Sequence, residues 1–112
     1  MNAKRPVVDW LTDARHYARE ARRISDRAID GVPTTRNLAI RHCLMIVGEA
    51  LDYVPEEILA HEPQIPWRQI IALRHRLVHG YWLIDEEIID EIARHETDAL
   101  VAALDRLIEK FE

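Results

Sequence analysis

An all-α fold, an up-and-down bundle of four to five helices forming one domain over residues 1–112, follows from three features of this sequence. Apolar residues recur at spacings of three and four through most of the chain. One of the five prolines precedes the first of those periodic segments and the other four fall between them. No stretch shows the strict alternation of a half-buried strand.

From Val7 to about Ile29, apolar residues fall at 7, 10, 11, 14, 17, 18, 21, 24 and 28, one face of a long amphipathic helix. Its expected stop is Asp30-Gly31-Val32-Pro33, where Gly permits a left-handed terminal residue and Pro forbids continuation. A second helix is expected to start at Thr34 or Thr35, either of which can cap free N–H groups, and to run to about Tyr53. Its apolar stretch from Leu38 to Leu51 marks it as central. Gly48 in its middle costs about 1 kcal/mol relative to Ala, so it reads as a close helix contact.

Pro55-Glu56-Glu57 reads as the first turn of a short helix to about His61. After the break at Pro63-Gln64-Ile65-Pro66, a helix from about Trp67 to His79 carries Trp67, Ile70, Ile71, Arg74, Leu77 and Val78 at helical spacing, with Gly80 as terminator. Asp85 is placed to cap one last helix reaching Phe111.

Composition narrows the function classes. An apolar content of 48% with 31% charged residues is ordinary for a globular protein, and 112 residues suffice for a core without staples. No apolar run approaches the 18 or so residues that span a bilayer, so the chain is expected to be cytoplasmic, with no membrane partner. Cys43 is the single cysteine, inside the run Leu44-Met45-Ile46-Val47, and reads as a small core residue. The net charge of −5 argues against a uniformly basic nucleic-acid binder. Yet residues 63–84 hold Arg68, Arg74, Arg76, His75 and His79 without an acid, whereas residues 85–112 carry ten acids against three bases. A polyanion would be handled by the first of these segments.

In Ala72-Leu73-Arg74-His75-Arg76-Leu77-Val78-His79-Gly80-Tyr81-Trp82, cationic and titratable groups crowd one helix end. A solvated helix C-terminus, where the dipole favours cations by about 0.3 to 1 kcal/mol, is one account. Chemistry is the other. Arg74 and His79 are five positions apart, about 140° around an ideal helix and about 7.5 Å along it. Side chains lean toward the N-terminus, so His79 tilts back toward Arg74 and a phosphate between them could touch both. Transesterification of RNA needs a base of near-neutral pKa for the 2′-hydroxyl proton and a permanent cation for the charge building on phosphorus. Histidine and arginine suit those tasks. His75 and His79, at i and i+4, also have the spacing of a zinc-binding pair, but two ligands are too few and the segment holds no acid. His16, His42, His61 and His95 read as surface or satisfied core residues.

The motif Arg74-x4-His79-x-Tyr81 resembles the signature of the HEPN superfamily, and more particularly of the HepT-like toxins encoded with an MNT nucleotidyltransferase antitoxin. Ile46-Val47-Gly48-Glu49-Ala50 resembles that family's Gly-Glu-Ala helix, Ile65-Pro66-Trp67-Arg68-Gln69-Ile70 its approach to the motif, and Leu77-Val78-His79-Gly80-Tyr81 its motif core. Order and spacing agree over about residues 8 to 111.

The resemblance implies a homodimer whose two motifs face each other in a cleft that cuts RNA without a metal or other cofactor. Arg74 and His79 would take the catalytic roles, with His75 and Arg76 as supporting candidates. Tyr81 would be the residue that an MNT-type nucleotidyltransferase antitoxin modifies with AMP. The family usually has Asn directly after the motif Arg; here His75 stands there and can titrate. Two other readings stay open at this level: a non-catalytic HEPN module that binds nucleotides or RNA, and a plain helical dimerisation protein.

Overall fold

The computed structural model of the protein describes residues 5–26 and 33–112. Among them are six helices, α1 (Val7–Ser25), α2 (Pro33–Asp52), α3 (Glu56–Leu59), α4 (Trp67–His79), α5 (Glu86–His95) and α6 (Thr97–Phe111), and no strand. A single 3-10 turn, Tyr81–Leu83, links α4 to α5.

Helix α1 buries Leu11, Ala14, Ala18, Ala21 and Ser25, a stripe at spacings of three and four. It ends at Ser25, short of the expected Ile29. The Ser25 hydroxyl donates back to the Arg22 carbonyl at 2.7 Å, and the Ser25 carbonyl accepts from Arg36 at 2.8 Å and from Arg94 at 3.0 Å. Two guanidinium groups thus take the acceptor that a continuing helix would use. Ala28 and the expected stop at Gly31 lie outside the described residues.

Helix α2 begins at Pro33, ahead of the Thr34 or Thr35 start expected, because proline has no N–H to lose in a first turn and its φ is already helical. Its buried residues Ile40, Cys43, Leu44, Val47, Ala50 and Leu51 keep one face. That face is central, as expected: α2 packs on α1, α4 and α5.

The expected single last helix is two. At Glu96 the backbone turns out to φ −112°, ψ −15°, and the buried Thr97 hydroxyl donates to the Ala93 carbonyl at 2.8 Å. Such back-bonding bends helices, and here it redirects the chain. Helix α5, capped by the Asp85 side chain accepting from the Glu87 N–H at 2.9 Å, packs across α1 and α2. Helix α6 packs along α1.

The core follows this division. Leu11, Val47, Leu51, Trp67, Leu104 and Leu107 belong to one apolar cluster under α6, and Ile40, Leu44, Leu77, Ile84 and Ile89 to another under α5. Cys43 is buried in the second cluster, where burial pushes its thiol pKa up, as befits a packing residue. Ion pairs tie the ends together. Arg36 of α2 binds Asp90 of α5, Arg41 binds Glu86 at 2.7 Å, Arg15 of α1 reaches Asp105 of α6 at 2.9 Å, and Arg106 reaches Glu62 at 2.6 Å.

Helix α4 crosses α2 at Gly48. A Cβ placed on Gly48 would lie 2.4 Å from Arg74 Cβ and 3.1 Å from the Ile70 carbonyl oxygen. The close contact read from the sequence is therefore real, and its partner is the stem of Arg74.

Two outcomes follow from this packing. Gly48→Ala gains about 1 kcal/mol of helix propensity but adds a methyl where backbone and a Cβ already stand, an overpacking cost of about 1 to 3 kcal/mol. The expected net is a lower melting temperature, by up to several degrees for a domain of this size, measured by calorimetry. A rise would mean that the helices separate at no cost. The second concerns acid. The hydrogen bond from Arg36 holds the Asp90 carboxyl below its ordinary 3.8, with Arg94 adding to the effect. A depressed folded-state pKa contributes stability that is present above 3.8 and lost as pH falls through the lower folded value. Asp90→Asn should therefore reduce stability at neutral pH and flatten its loss below about pH 4. An unchanged acid slope in melting temperature against pH would rule Asp90 out as a contributor.

Candidate active site

Helix α4 starts with the Trp67 indole N–H donating to the Glu62 carbonyl at 2.9 Å and stops at Gly80, whose N–H reaches the Arg76 carbonyl at 2.8 Å. Gly80, the expected terminator, sits at φ −144°, ψ 36°, outside the helical region, and so ends the helix. Trp67 and Leu77 are the residues α4 buries fully; the rest of the helix is half-buried or exposed.

Arg74 lies on the flank facing α2. Its stem packs against Gly48, and its head meets the Glu49 carboxylate at 3.0 Å. The Arg74 Nε–H is buried with no hydrogen-bond partner, an arrangement that carries a desolvation cost. Both side chains keep an exposed fraction, 34% for Arg74 and 43% for Glu49, so the pair lies at the surface and not in the core.

His79 is exposed one turn beyond His75, and the two rings sit 4.6 Å apart between centroids, tilted by 47°. Arg68, Ala72, His75 and His79 recur at i, i+4, i+7 and i+11, and all four are exposed. They form a stripe with a small residue in its middle. Beside it, Arg74, His75 and Arg68 line one wall of a hollow of about 360 Å³, with Asp52 and Glu56 of α2 and α3 on the other wall. Arg68 approaches Glu56 only to 3.8 Å, and both are nearly fully exposed.

Arg76 departs from this grouping. Two positions from Arg74, it turns to the opposite side of α4 and lines a separate apolar cavity of about 300 Å³ between α2, α4 and the α5–α6 junction. Tyr81 follows Gly80 in the 3-10 turn, 61% exposed, with its ring edge-on to Trp82 at 5.4 Å. Trp82 and Leu83 are more exposed still, at 69% and 73%, and Tyr81, Trp82 and Leu38 border one groove.

The sequence-level candidates therefore divide. Arg74, His75 and His79 share the exposed part of α4, Tyr81 stands at its end, and Arg76 faces elsewhere. His16, His42, His61 and His95 are all exposed and scattered over the surface. Among the described residues there is no group of three or more His, Cys, Asp or Glu side chains placed to hold a metal ion. No helix among them is long and apolar enough to cross a membrane. Two features were missed at sequence level. The spacing of 68, 75 and 79 was available to place Arg68 on the histidine face, whereas the pairing of Glu49 with Arg74 had no local signal.

Comparison with known proteins adds to this geometry. Three similar proteins illustrate the relation. One is "Putative RNase MJ0125" of Methanocaldococcus jannaschii, 28% identical over 66% of this chain and 64% of its own length. Another is "Probable ribonuclease HepT" of Thermococcus cleftensis, 28% identical over 62% of this chain and 63% of its own length. The third, "Putative RNase MJ1380" of Methanocaldococcus jannaschii, is 28% identical over 84% of this chain and 89% of its own length. The first two matches span less than two thirds of those relatives. No solved structure matches the chain. The family description "Ribonuclease HepT-like" matches residues 14–107, which include all six helices in whole or part and every candidate site residue, and the chain belongs to that HepT-like family of the HEPN superfamily.

Proposed function

We propose that this protein is a metal-independent endoribonuclease acting as the toxin of a toxin-antitoxin pair, with Arg74 and His79 as its catalytic residues. The observation that carries the reading is the solvent-facing end of α4. A guanidinium held on one flank and an exposed imidazole one and a half turns further on occupy the same helix end, in a chain of the HepT-like family.

In the reaction, His79 takes the proton of a ribose 2′-hydroxyl as that oxygen attacks the adjacent phosphorus. The bond from phosphorus to the 5′ oxygen breaks, leaving a 2′,3′-cyclic phosphate and a 5′-hydroxyl. Arg74 holds the non-bridging oxygens, on which charge builds. The departing 5′ oxygen needs a proton; His75, its ring 4.6 Å from that of His79, or the motif of a second copy stands to supply it. Arg68 continues the cationic wall along which the strand would lie.

A twofold homodimer completes the cleft in this reading. Its support is the exposed apolar turn Tyr81-Trp82-Leu83 directly beside the motif, with Leu38 and Val78 also exposed. Purified protein provides the test. Wild type should cut single-stranded RNA with EDTA present and scatter light as a dimer, while Arg74→Ala and His79→Ala each lose at least about a hundredfold in rate with helix content unchanged. RNA binding without cleavage by the wild type would assign the protein to a non-catalytic nucleotide- or RNA-binding module. Loss in EDTA would reopen the His75 and His79 metal pair.

Control would act through Tyr81. An MNT-type nucleotidyltransferase antitoxin would bring ATP, the Tyr81 oxygen would attack the α-phosphorus, and pyrophosphate would leave. The exposed phenol two residues past His79 supports this assignment. The added AMP places a negative charge and a nucleoside beside the cationic groups that otherwise receive RNA, a tethered competitor. Intact-mass spectrometry after incubation with such an enzyme and ATP should show AMP-sized increments on wild type and none on Tyr81→Phe. Equal increments on both would remove Tyr81 as acceptor.

A further inference from the structure

We infer that Glu49 is a positioning residue for Arg74: its carboxylate fixes the direction in which the guanidinium presents its free N–H groups to a phosphate. The inference rests on the ribonuclease reading for its catalytic consequence, but the positioning itself is a property of the free protein.

Three observations carry it. The root of Arg74 is held first, because Gly48 brings α2 so close that Arg74 Cβ and Cγ would stand 2.4 Å and 3.3 Å from a Cβ at that position. The middle is held next: Nε is buried in the crossing without a hydrogen-bond partner, so no directional bond sets the rotation of the head there. The head then meets Glu49 through its Nη2 at 3.0 Å. Among the described residues this is the ion pair that Arg74 makes, and Glu49 directly follows the glycine that sets the crossing.

The chemistry gives the pairing a purpose. An arginine side chain has several rotatable bonds, and freezing them while the phosphorane forms would add to the barrier. Glu49 freezes them beforehand. It takes Nη2 and leaves Nη1 for the phosphate. Its charge also weakens ground-state attraction for RNA, so its removal has two opposed effects. Binding should tighten or hold while turnover falls. A side chain that served stability alone would lower the amount of active protein without that split.

The experiment compares wild type, Glu49→Gln and Glu49→Ala in two measurements. Kinetics on a short RNA should show kcat down about tenfold for Glu49→Ala, KM unchanged or lower, and partial recovery for Glu49→Gln, which keeps a carbonyl acceptor at the same reach. NMR of the guanidinium Nε–Hε groups, without RNA, should show the Arg74 signal moving to the position of a mobile arginine in Glu49→Ala while Arg36 and Arg41 keep theirs. An Arg74 signal unmoved in Glu49→Ala overturns the inference whether or not the protein cuts RNA. So does a kcat equal to wild type. If wild type cuts no RNA but the Arg74 signal moves as expected, the ribonuclease reading fails and the positioning stands.

Discussion

The close crossing of α2 and α4 at Gly48 is the constraint on which the candidate site depends. Helix α4 buries only Trp67 and Leu77 fully, and its main packing partner is α2. With little apolar area of its own, it is held by approach distance as much as by area. A side chain at position 48 would push the two backbones apart. The pocket for Leu77 and the seat of the Arg74 stem would both loosen. The same glycine that costs helix propensity in α2 thus sets the depth at which Arg74 starts and puts Glu49 within reach of its head.

The features legible in the sequence are those that local chemistry decides. The limits of α4 at Trp67 and His79 and the Asp85 cap came out as expected, because proline, glycine and a capping carboxylate act within one turn. The ends set by distant residues did not. Helix α1 stops at Ser25 because Arg36 and Arg94, from α2 and α5, converge on its carbonyl. The break at Glu96 interrupts an unbroken apolar period and depends on which lobe of the core each half joins. The site divides the same way. Residue type and order marked Arg74, His79 and Tyr81, and helical angle alone sets Arg76 apart from Arg74. The Glu49 partnership needed the register of one helix on another.

Charge is arranged so that an acidic chain can still present a cationic edge. Arg36 and Arg41 of α2, Arg15 of α1 and Arg106 of α6 are each joined to an acid, and most of these pairs bind one helix to the next. Much of the surplus acid lies on α5 and α6. Exposed charges more than about 8 to 10 Å away are largely screened at physiological salt, so a phosphate at the end of α4 responds to its neighbours and not to the net charge of −5. Those neighbours are mixed, with Arg68, Arg74 and His75 facing Asp52 and Glu56 across one hollow. On the ribonuclease reading, the acidic wall would repel a strand straying toward α3 and confine it to the α4 side.

That confinement bears on the exposed turn beyond Gly80. Tyr81, Trp82 and Leu83 offer aromatic and apolar surface where a strand leaving His79 would continue, and the groove beside them is bordered by Arg41 and Glu86, which already neutralise each other. A surface without net charge does little to hold a phosphate, but it suits flat rings and a second protein face. The change of character is abrupt because Gly80 ends the helix there: before it the side chains are set by α4's register, after it by a 3-10 turn that packs little of itself. One glycine, by stopping a helix, thus separates the groups fit for a phosphate from the groups fit for a partner and leaves them two residues apart.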